Sequence, residues 1–127
     1  MPFFILYLLI ATVILITVAF FYVSSIAATP PKGRAADLSK ELSLKSGRVI
    51  ACIGDSLTHG NIGECWVESL RNEYPEDTVL NEGINGDVVW QVNNRIESII
   101  NCNPDIIILM IGSNDVMASF NKKSGER

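Results

Sequence analysis

VIACIGDSLTHG, residues 49–60, is the stretch on which the fold turns. Its first five residues are continuously apolar, and Gly54 stops them. A run of that length without polar alternation suits a parallel strand buried on both faces. The chain then becomes polar and tight through Gly54, Asp55 and Ser56, and closes at Gly60. A serine in that place stands above the end of a buried strand, on a turn bounded by glycines. Its hydroxyl is exposed, and backbone N–H groups turn the same way. A nucleophilic serine needs both, because attack on a carbonyl generates an oxyanion that must be met by donors.

The pattern continues downstream. Trp66, Val67, Leu70 and Tyr74 fall at helical spacing within residues 64–74, which end before Pro75. Thr78-Val79-Leu80 reads as a second, shorter strand. Residues 87–100 carry Val89, Val92, Ile96, Ile99 and Ile100 on one stripe, with Asp87 placed as N-cap. Asn103-Pro104 breaks that helix. Residues 105–111, DIIILMI, form a third strand, apolar on both faces, stopped by Gly112. One helix per crossover in a β-α-β-α-β order predicts an open parallel α/β sheet. Ligands of such sheets bind beyond the carboxyl ends of the strands. Three polar patches should therefore meet on one edge: Gly54-Asp55-Ser56, Asn85-Gly86-Asp87 and Gly112-Ser113-Asn114-Asp115. Gly86 offers a backbone N–H with no side chain in the way, and Asn114 a side-chain amide. One nucleophile with two donors is an inventory for acyl transfer, although each patch alone also suits a turn or a helix cap.

Upstream the character changes. Residues 3–28 contain no charge, no glycine and no proline. A hydrocarbon core needs about 20 such residues, and a single span must be helical to satisfy its own backbone. The expected organisation is a transmembrane anchor at residues 1–28, a tether at 29–47 and a globular part at 48–127. A cleaved signal peptide is the alternative, with Ser25-Ile26-Ala27 as the cleavage site. The absent basic start and the long apolar run argue for the anchor. Leu38 and Leu42 share a helical face, so the tether is either a solvated linker or carries a short interfacial helix. Lys32, Arg34, Lys40, Lys45 and Arg48 all follow the span. The positive-inside bias then leans towards a single-pass protein with a cytoplasmic C-terminal part.

Composition excludes several classes. The chain has 127 residues, with 14 acidic and 10 basic side chains, one histidine and 3 cysteines. The acid excess lies in residues 49–127, which argues against nucleic acid as partner. The glycine-rich nucleotide motifs are missing. Cys52, His59, Cys65 and Cys102 lack zinc-site spacing, so no metal is expected. The cysteines read as buried thiols.

GDSLTHG, then INGD, then IGSND, in this order, resembles the SGNH/GDSL family of serine esterases and lipases across residues 48–119. The resemblance implies a three-layer α/β/α flavodoxin-like fold with a parallel sheet, here incomplete at about three strands and preceded by one transmembrane helix. It implies Ser56 as nucleophile and as an oxyanion N–H donor, Gly86 as a second N–H donor, and Asn114 as the side-chain donor. Asp55 and Asp115 belong to the same motifs as supporting residues. The implied substrates are small-molecule or lipid esters, with no metal and no organic cofactor.

One block of the family pattern has no counterpart. The D-x-x-H that supplies the general base and its partner does not occur, and the single histidine, His59, reads as a solvated rim residue. The expectation is a membrane-anchored acyl hydrolase, truncated relative to its family and weakly active or inactive. A non-catalytic ester- or carboxylate-binding module and a small membrane interaction protein are the alternatives. Residues 106–111 are expected to form an exposed apolar edge through which copies self-associate.

Overall fold

A computed structural model describes residues 2–38, 47–61 and 63–125. Its elements in chain order are α1 (Pro2–Ala28), α2 (Ala35–Leu38), β1 (Val49–Gly54), α3 (Ser56–His59), α4 (Trp66–Glu73), β2 (Thr78–Gly83), α5 (Val89–Ile100), β3 (Ile106–Met110) and α6 (Ser113–Gly125). The three strands form one parallel sheet in the order β2-β1-β3. Ile53 of β1 lies opposite Glu82 and Leu109, so the carboxyl ends of all three strands reach the same edge.

Alternation along β1 supplies both faces of the core. Ile50 and Cys52 pack with Val67 and Val79, against which Trp66 and Leu70 of α4 lie. Ala51 and Ile53 pack on the other side with Leu80, Ala35, and Val92 and Ile99 of α5. Helices therefore cover both faces of the open parallel sheet that the strand and helix pattern predicts, in the three-layer α/β/α arrangement that the family resemblance implies. Burial pushes the Cys52 thiol up to about 11, as expected of a thiol serving as a small apolar core group.

α1 is one apolar helix, and Phe3–Ala28 is long and apolar enough to cross a membrane. A signal sequence can also form an apolar helix near the N-terminus. The Thr12 and Thr17 hydroxyls donate to carbonyls one turn back, so both are satisfied within the helix.

The structure differs from the sequence-based expectation in four places. β2 runs on to Gly83, although its apolar residues stop at Leu80. Residues 81–83 stay in the strand because Asn81 and Glu82 find buried partners. The stretch after α1 is not a free linker up to Leu38. Gly33 O accepts from Asn81 N at 3.0 Å, and Ala35 N donates to Glu82 Oε1 at 2.6 Å. Leu38 packs on the core, whereas Leu42, its expected helical neighbour, and the basic Lys40 and Lys45 lie outside the described residues. The N-cap of α5 is Val88 rather than Asp87. Last, the residues beyond Asp115, to which the sequence pattern assigns no element, continue as α6.

Candidate active site at the strand ends

Gly54 ends β1 where the backbone of β3 and the next helix crowd it. A Cβ there would lie 2.2 Å from Thr58 Oγ1 and 2.4 Å from Met110 O. Only glycine fits, and the chain can turn at once. Asp55 caps α3, its Oδ1 accepting from Leu57 N at 3.0 Å. Ser56 is the first residue of α3 and is exposed. The turn expected from the sequence is thus one turn of helix, closed by Gly60 in the left-handed conformation.

Asp55 is buried and reaches the third patch. Its Oδ2 accepts from the Ser113 hydroxyl and, at 3.5 Å, from Asn114 Nδ2. The same Asn114 amide donates to Asp87 O at 2.8 Å. Asp115 completes the web, its carboxylate accepting from Val89 N at 3.1 Å. Asp115 therefore takes the capping role at α5 that the sequence suggests for Asp87. Asp87 turns to Arg95 instead, with Oδ2 accepting from Nη2 at 2.9 Å and from Nε at 3.1 Å. A charged pair outcompetes a single helix N–H because both of its partners are ionised.

The three patches thus lie together. Gly86 has φ +80°, and a Cβ there would meet nothing within 4 Å, so conformation rather than space calls for glycine. Among the described residues, no hydrogen bond occupies the N–H of Ser56 or of Gly86. Asn114 differs: its amide is held against Asp87 O, its second contact being the long one to Asp55.

His59 is buried rather than solvated. Its Nε2 lies 2.8 Å from Thr29 O, and because a carbonyl can only accept, Nε2 carries the proton. Nδ1 is buried without a partner. No hydrogen bond joins the Ser56 hydroxyl to another described residue, so this histidine does not address the serine. No group of three His, Cys, Asp or Glu side chains converges as a metal site among the described residues.

Arg95 is the residue that sequence reasoning missed. Its Nη2 donates to Glu82 O at 2.8 Å and Gly54 O at 3.4 Å as well as to Asp87, joining the ends of β1 and β2 to the second patch. The signal is present in the sequence. A cation sits on the core-facing stripe between Val92 and Ile96, and a charge in that position needs a buried partner.

A family model, the GDSL-like Lipase/Acylhydrolase family, matches residues 52–126. Solved structures similar to this chain include two esterases. AlinE4, an SGNH-hydrolase family esterase, matches at 27% identity and a TM-score of 0.50, over 58% of this chain and 44% of its own. Axe2, an acetylxylan esterase from Geobacillus stearothermophilus, matches at 32% identity and a TM-score of 0.51, over 62% of this chain and 45% of its own. The chain therefore spans less than half the length of these enzymes. No curated protein matches it.

Proposed function

The chain belongs to the GDSL-like lipase/acylhydrolase family, and on that basis we propose that its polar edge is an acyl-ester site built on Ser56. The observation that carries the proposal is the hydrogen-bonded web of Asp55, Ser113, Asn114 and Asp87, which draws the three motifs together beside an exposed serine. In this reading the Ser56 hydroxyl adds to the ester carbonyl. The oxyanion is met by the N–H groups of Ser56 and Gly86, and by Asn114 once its amide turns from Asp87 O. The tetrahedral intermediate expels the alcohol and leaves an acyl-serine, which water releases as the acid.

The serine proton needs an acceptor, and His59, buried with its N–H on Thr29 O, is not that group. Loss of a catalytic histidine costs on the order of 10⁶ in kcat in subtilisin, where the oxyanion hole and binding alone leave about 10³–10⁴ over water. The chain alone is therefore a slow esterase. With the full chain in detergent micelles, p-nitrophenyl acetate should turn over slowly, and added imidazole should accelerate the reaction by acting as the base. Ser56→Ala should remove the part of the imidazole-dependent rate that exceeds the rate with imidazole and micelles alone, because free imidazole itself cleaves this ester. Equal rates for the two proteins would refute Ser56 as nucleophile. The position of His59 also favours a second reading, a module that binds esters or carboxylates without turnover. Saturable binding of acetate or an ester, with no Ser56-dependent product, would select it.

α1 serves in this reading as a single-pass membrane anchor, with the basic residues that follow it on the cytoplasmic side.

A further inference from the structure

The last turn of an α-helix leaves four carbonyls without intrahelical partners. At the end of α1 two of them are met by the loops of the candidate site. Asn61 Nδ2 donates to Ile26 O at 2.7 Å, and Asn85 Nδ2 donates to Ala27 O at 2.7 Å. Asn85 Nδ2 also lies 3.3 Å from Asn61 Oδ1, so the two amides act together. Thr29 Oγ1 donates to Ser25 O at 3.0 Å. Asn61 follows the Ser56 turn and Asn85 precedes Gly86. The loops that carry the proposed nucleophile and oxyanion donor are thus the loops that cap the apolar helix. A cavity of about 400 Å³ lies between them, lined by Ala27, Ser56, Leu57, Asn61 and Asn85. Leu57 is 59% exposed, next to the serine.

Depth follows from length. The apolar span of 26 residues is about 39 Å long at 1.5 Å per residue, against a hydrocarbon core of about 30 Å. With α1 spanning a bilayer, the roughly 9 Å by which it exceeds the core lets its last turn reach the interfacial layer. Acyl-ester carbonyls of bilayer lipids lie at that level. We infer that the Ser56 site works at the bilayer interface, with the last turn of α1 as one wall, and that its ester is a lipid acyl ester entering from the membrane. The inference rests on the anchor and acyl-ester readings above.

The test uses the full chain in phosphatidylcholine vesicles doped with phosphatidylcholine that carries a photoactivatable diazirine beside one ester carbonyl. Adducts are mapped by mass spectrometry. Adducts on residues 56–61 and 84–90, alongside those on residues 23–28, are expected. Adducts confined to residues 3–28 would overturn the inference. In the double variant Asn61→Ala, Asn85→Ala, site adducts should fall at least about tenfold while α1 adducts persist. Unchanged site adducts would overturn the role of the two amides, and the wild-type map decides alone if that variant does not fold. Ser56-dependent turnover is followed in the same vesicles. Its absence with site adducts present counts only against the acyl-ester reading, whereas its presence with adducts confined to α1 counts only against this inference.

Discussion

β2 and β3 flank β1 on opposite sides, and their exposure runs against their composition. β2 contains Asn81 and Glu82, yet every residue in it is buried. β3 is Ile-Ile-Ile-Leu-Met, yet only Ile108 escapes exposure. Leu80 is 0% exposed and Leu109 58%. The cause lies in what stands beside each strand. The outer edge of β2 receives Gly33, its carboxylate receives α2, and α3 and α4 pack on it. β3 pairs with β1, and among the described residues no strand pairs with its other edge. Strand composition reports which faces a sheet is built to cover. Cover itself is a property of the neighbours.

Three experiments probe that contrast, using guanidinium denaturation of the full chain in detergent micelles followed by tryptophan fluorescence. The largest effect is expected at Glu82, whose buried carboxylate holds Ala35 N at 2.6 Å and faces Arg34 and Arg95, each at 3.5 Å. Glu82→Ala leaves the buried Ala35 N without its acceptor and removes the carboxylate between two arginines, of which Arg95 keeps Asp87, and should cost on the order of 3–5 kcal/mol. A loss within about 0.5 kcal/mol, as at an ordinary surface site, would show that the polar half of β2 is not what holds its cover in place.

A matched pair comes next. Leu80→Ala should cost about 2–5 kcal/mol, and Leu109→Ala within about 0.5 kcal/mol. Equal losses would mean that β3 is covered in solution after all.

The smallest effect is expected at the start of β2. Arg48 donates to Asp77 from its backbone N at 2.9 Å and pairs with it through Nη2 at 2.6 Å, holding the Asp77 carboxyl below its ordinary value. A depressed carboxyl pKa stabilises the fold above the unfolded value of about 3.9 and loses that contribution as pH falls through the lower folded value. Asp77→Asn should therefore flatten the acid limb of stability below about pH 4, and only slightly, because the pair is at the surface. An unchanged acid limb would remove the pair from the account of β2.

Much of this architecture is legible in the chain. Residues 49–53 and 105–111 read as strands because apolar runs end at Gly54 and Gly112. α4 and α5 read as helices from their spacing, and the strand-helix order places the three motifs on one edge. The misread positions are those where a polar residue has a distant partner. β2 seems to stop at Leu80 because nothing local shows that Glu82 will meet Ala35, 47 residues away. Asp87 looks like the cap of α5, but Asp115, 26 residues beyond Val89, takes that hydrogen bond. His59 looks solvated until Thr29 arrives over its ring nitrogen from 30 residues upstream.

The sequence by itself determined the alternation of strand and helix, the parallel sheet, the apolar helix and the residue types at the strand ends. Those features follow from backbone period, steric punctuation by glycine and proline, and hydrogen bonds closed within a few residues. Only the tertiary structure decided which aspartate caps and which pairs, which strand is covered, and that α1 ends against Asn61 and Asn85. Each of those outcomes is a competition among buried donors and acceptors far apart in the chain. The winner depends on who is near in space, and the polar groups that lose access to water must take the partners that packing brings to them.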